Sequence, residues 1–162
     1  MYQLVVWIHV VAACSWVGGI LFFALVLVPA LRKVPGPSSH QLVMAVGRRF
    51  RVIGWSSVAV LILTGIGNVL YRVPASQLLT VEFWQSPWGR MLCLKLGLVL
   101  AMLCLAIAHD VMGARATSSA QIDPRSPAVL RSRQLASRFG RALGIVALAI
   151  VFVAVLLVRG WG

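Results

Sequence analysis

The chain has 162 residues, 60% of them hydrophobic and 11% charged, with a formal charge of +12 and a mean hydropathy of +0.95. So apolar a composition excludes a soluble globule of this size and marks an integral membrane protein. The basic residues sit in the breaks between apolar runs, as topology signals and lipid-headgroup contacts rather than a nucleic-acid surface. With only three acidic residues, carboxylate chemistry such as hydrolysis has almost no material.

Four runs, near 3–31, 48–72, 88–113 and 140–159, reach the roughly 20 helical residues that cross a hydrocarbon core. The first has no basic leader and no small-residue cleavage pattern, so it reads as a retained helix rather than a secretory signal. Helix starts are expected at Ser38 or Ser39 after Pro37, at Ser86 before Pro87, and at Ser126 before Pro127, where Ser at N-cap and Pro at N1 fit. The fourth helix then begins near Pro127, with Val129, Leu130, Leu135 and Phe139 apolar and Arg131, Arg138 and Arg141 polar, an amphipathic lead-in to the span. No internal repeat is evident. The fold class is all-α, a single integral membrane four-helix bundle over 1–162.

Counting basic residues sets an orientation. Arg32, Lys33, Arg48, Arg49 and Arg51 flank the first connection, and Arg115, Arg125, Arg131, Arg133, Arg138 and Arg141 the third, against Arg72, Arg90 and Arg159 elsewhere. Loops one and three are therefore expected on the cytoplasmic side of a bacterial inner membrane, with both termini outside. The second connection, with Glu82, Phe83, Trp84 and Trp88, reads as an interfacial segment.

Polar residues inside spans are costly and mark sites or partners. The opening span carries WIHVVAACSWVGG at 7–19. By helical rise, His9 and Lys95 each lie roughly 12 Å below the outer surface, and Thr64 and Asn68 reach the same level in span two. A second layer at the cytoplasmic end holds Arg48, Arg51, His109 and Asp110, with His40 in the preceding loop. Asp110 beside Arg48 or Arg51 reads as an ion pair or as a headgroup or propionate clamp. Met91, Lys95, Leu98, Met102 and His109 share one helical stripe, so Lys95 is expected toward the interior, although a snorkelling Lys95 and a packing role for the methionines satisfy the same pattern. Cys14, Cys93 and Cys104 lie within spans and read as packing residues rather than a disulfide framework.

The pattern H-x6-W-x-G-G in span one, R-R-F and T-G in span two, and W-G-R-x-L-x-L-K-L in span three resemble the copper resistance D (CopD) family of bacterial membrane proteins. More distantly, span one and the K-L of span three resemble the HemJ-type protoporphyrinogen oxidases. The resemblance covers roughly 5–113, with span four adding only hydrophobicity. The HemJ resemblance implies haem b, with His9 and Lys95 in the positions of that family's histidine and lysine. The CopD resemblance implies copper uptake or resistance, with a periplasmic carrier protein as partner.

Chemistry leaves three readings. In the first, His9 is the axial ligand of a haem b in the outer half, Lys95 a second ligand or propionate partner, Met102 another sixth ligand, Thr64 and Asn68 the lining, and Trp16 the floor. The role would be electron transfer or porphyrin redox chemistry, alone, as a homo-oligomer or as a subunit of a larger complex. His109 lies about 21 Å along the helix from Lys95, too far to share that iron. In the second, copper passes the same layer, with His9, Cys14, Met91, Cys93, Met102 and Cys104 as soft donors; Met91 and Cys93 point apart on a helix and cannot close on one ion. In the third, the chain is a structural subunit and the polar layer only fixes helix packing. No catalytic residue is assigned.

Overall fold

The computed structural model describes residues 1–33, 37–122 and 126–159; within these, the side chains of residues 32, 37–40, 43, 119–122 and 133 lie outside the description. Among the described residues the fold is all-α, and four helices are long and apolar enough to cross a membrane: Tyr2–Leu31, Met44–Arg72, Pro87–Ser118 and Pro127–Arg159. The chain divides into two compact units, Met1–Thr80 and Val81–Gly162.

In the first unit, α1 (Tyr2–Phe22) passes through a π-helical turn, Phe23–Leu27, into α2 (Val28–Arg32). The turn answers to Pro29, which has no N–H for the Leu25 carbonyl and whose ring would strike it. One turn widens instead, and the Val28 N–H reaches back to the Phe23 carbonyl. The apolar run by itself reads straight through this point. The next helix, α3 (Pro37–Arg72), packs antiparallel on α1. It starts at Pro37, not after Ser38 or Ser39, because proline's fixed φ suits the first helical position.

Small residues set the approach of α1 and α3. A Cβ on Gly19 would overlap the Phe50 ring, which also lies 4.9 Å from Phe23. Trp16, 6% exposed, covers Gly54, where a Cβ would lie 3.8 Å from its Cδ1. At the far end Tyr2 stacks on Tyr71 at 4.7 Å. Ala12, Ile20, Ser57 and Val58 fill the seam, while Leu4, Trp7, Leu25 and Leu63 point outward. That is the distribution expected where lipid, not water, is the solvent and association depends on close packing. A short helix, α4 (Ala75–Leu78), follows.

The second unit opens with α5 (Val81–Gln85) and turns sharply into α6 (Pro87–Ile122). Ser86 caps as expected: its Oγ accepts from the Gly89 N–H at 3.0 Å and donates to the Phe83 carbonyl at 2.6 Å. Gly89 is required there, since a Cβ would fall on the Phe83 carbonyl group. The tilted Phe83 and Trp88 rings, 5.7 Å apart, complete the corner. Helix α7 (Pro127–Arg159) also begins as expected, with the Val129 N–H on Ser126 Oγ at 3.4 Å. Leu92, Met102 and Ala116 of α6 and Val129, Leu143, Ala147 and Val153 of α7 are buried in this pair. The third connection is thus mostly helix: α6 continues to Ile122 and α7 begins at Pro127, with Ala116 and Val129 buried and Arg115, Arg131, Arg138 and Arg141 exposed.

Candidate functional site

The α1 and α3 seam brings His9 to Thr64. Each lies about two turns in from the same end of the helix pair, His9 from Tyr2 and Thr64 from Arg72, and Gly65 opens the space that the imidazole enters: a Cβ there would sit 3.6 Å from His9 Cε1. His9 Nδ1 lies 2.7 Å from Thr64 Oγ1. The Thr64 hydroxyl has a single proton, and its 2.6 Å approach to the Val60 carbonyl requires that proton to be donated there. His9 Nδ1–H is therefore the donor to Thr64, which leaves the lone pair of the neutral imidazole on Nε2. One turn further along α3, Asn68 faces the same seam, and its Oδ1 is buried with no hydrogen-bond partner. Trp16 lies on this seam too, about 10 Å along α1 from His9 by helical rise, with its ring over Gly54.

A second histidine is held in a similar way in the α6 and α7 pair. His109 Nδ1 lies 2.9 Å from the Ala136 carbonyl. A carbonyl only accepts, so Nδ1 carries the proton here as well. Gly140, four residues after Ala136, makes this contact reachable: a side chain there would shield the carbonyl, and even a Cβ would lie 3.3 Å from His109 Cε1. Sequence reasoning places His109 by depth and misses Ala136 and Gly140; a glycine in the amphipathic run of α7 is the signal available.

The remaining predicted residues are placed as follows. Lys95 is half-buried in the second unit, and Met102 is 4% exposed. Met91 borders an open groove of about 490 Å³ with Trp88, Arg90, Leu94, Leu156 and Leu157. Cys14, Cys93 and Cys104 are exposed free thiols. Arg48 and Arg51 are exposed on α3, and Asp110 is half-buried on α6. The His40 side chain lies outside the described residues. Among the described residues, no group of three or more His, Cys, Asp or Glu side chains is gathered closely enough to hold a metal ion.

These features define a class: a multi-pass all-α membrane protein whose two helix pairs each hold a histidine by its Nδ1–H. Residues 44–159 match the family model of copper resistance protein D, CopD, and the chain belongs to that family. The match takes in the fourth span, which carries no motif beyond its hydrophobicity, and leaves α1 and His9 outside it. An uncharacterized protein of Aquifex aeolicus (strain VF5) is 30% identical over 112 residues, covering 68% of this chain and 69% of that protein. No solved structure matches.

Proposed function

We propose that this chain handles copper at the membrane, with His9 as the group that contacts the metal. Family membership supports the copper chemistry, and the observation that carries the residue is the chain from His9 Nδ1 through Thr64 to the Val60 carbonyl. A histidine that ligates metal through one nitrogen donates its other N–H to an acceptor, which fixes the ring and raises its basicity. Imidazole suits copper, and the ion is one that is transported or transiently held. Copper here is cargo, supplied by a carrier protein. The concentration of exposed arginines around loops one and three supports placing those loops on the cytoplasmic side of an inner membrane.

A second reading, haem b held as a resident cofactor, is favoured by one feature. A lone imidazole backed at Nδ1 is a sufficient proximal ligand, whereas copper needs further donors. In that reading His9 would be the ligand, Thr64 and Asn68 would line the pocket with Trp16 beneath, and bound haem would supply electron transfer.

One preparation tests both. The protein is purified in detergent, its Cu(I) affinity measured by competition with a chromogenic chelator, and its dithionite-reduced visible spectrum recorded, for the native chain and His9→Ala. Cu(I) binding that weakens in His9→Ala, without a haem band, supports the copper reading. A reduced b-type band lost in His9→Ala replaces it with haem. Neither ligand leaves the helices as a structural subunit and overturns both.

A further inference from the structure

Along the α1 and α3 seam, polar side chains of α3 recur at every fourth residue: Thr64, Asn68 and Arg72. Successive members are about 6 Å apart by helical rise. At the outer member, Arg72 Nε donates to Tyr2 Oη at 3.1 Å, in an exposed pair that marks the seam's mouth beside the N-terminus. At the inner member, His9 donates to Thr64. Between them Asn68 Oδ1 is buried and unpartnered. Buried acceptors are nearly always satisfied, so an orphan on a line between two hydrogen-bonded pairs calls for a donor.

The seam has room for a small one. Among the described residues, a Cβ on Gly65 would meet only His9 Cε1 within 4 Å, and one on Gly67 only Val5 Cγ1, each at 3.6 Å. Both glycines precede Asn68, Gly65 by three residues and Gly67 by one, and leave about a methyl's worth of slack beside it. The terminal torsion of asparagine is soft, so the amide oxygen can turn into that slack at little cost.

We propose that water enters the seam between Tyr2 and Arg72, is held by Asn68, and connects His9 to the aqueous phase on the side of the N-terminus. A single water spans about 5.6 Å between two partners, which matches the spacing of the members. The occupant is water rather than a metal ion or an anion. The Arg72 charge at the mouth opposes cations, and an amide oxygen offers an anion nothing to accept. The track exists whether or not His9 takes a metal, so it stands independently of the copper reading.

Radiolytic hydroxyl-radical footprinting tests this on the full chain in detergent, because radicals formed from bound water label the side chains beside it. The readout is the oxidation rate of His9 in the native protein, Gly67→Ala and Asn68→Leu, with the exposed Tyr71 as internal control. The expected result is fast His9 oxidation in the native chain, falling severalfold in both variants while Tyr71 is unchanged. Background-level oxidation of His9 in the native chain, or equal rates in all three, overturns the proposal. Gly67→Ala keeps the test valid if Asn68→Leu fails to fold, since the added methyl makes only an ordinary contact.

Discussion

Replacing Thr64 with valine keeps the shape of the side chain but removes the oxygen that accepts from His9. In the native chain that bond is short, 2.7 Å, and part-buried. A stranded buried donor costs about 1–3 kcal/mol in water-soluble proteins. Hydrogen bonds between membrane helices couple more weakly, by about 0.6 kcal/mol on average and about 1.7 at most. A part-buried imidazole between two helices belongs near the middle of that range, so the coupling of His9 to Thr64 should be about 1 kcal/mol. The assay is a double-mutant cycle of Thr64→Val, His9→Phe and the double variant, followed by reversible unfolding in mixed micelles with increasing SDS. The cycle cancels the local bond from Thr64 to Val60, which His9 does not share. A coupling indistinguishable from zero would refute the donor assignment and, with it, the deduction that the lone pair lies on Nε2.

Three further outcomes follow from the packing. A Cβ on Gly18 would stand in open space, whereas one on Gly19 would meet the Phe50 ring; Gly18→Ala should therefore raise helix stability by up to about 1 kcal/mol, and Gly19→Ala should lower it by about 1–3 kcal/mol, in the same SDS titration. Ser86→Ala should cost about 1 kcal/mol through loss of the cap, and Gly89→Ala more, because its Cβ meets backbone rather than a movable side chain; thermal denaturation by circular dichroism ranks the two. Gly140→Leu should expel the His109 ring from the Ala136 carbonyl, read as loss of the hydrogen-bonded Nδ1–H signal in ¹⁵N NMR of labelled histidine.

The spans and the last two helix starts were legible in the sequence because they depend on local quantities. Apolar run length measures the bilayer, a Ser-Pro pair announces a helix start, and a fixed rise converts residue number into depth. Those rules placed His9, Thr64 and Asn68 at one level and found the starts at Pro87 and Pro127. They did not reach the π-helical turn at Phe23–Leu27, because several backbone adjustments can absorb a proline and the choice depends on the packing around it.

Depth also says nothing about which atom meets which. That Thr64 gives its proton to Val60 and so receives one from His9, that Gly140 uncovers a carbonyl for His109, and that Asn68 Oδ1 is left without a partner are all consequences of how two helices rotate and approach. From the sequence alone came the medium, the spans and the shared level of His9 and Thr64. The proton on Nδ1, and hence the lone pair on Nε2, was decided only by tertiary structure, because a hydrogen bond depends on ångström distances between residues 55 positions apart that no local pattern encodes.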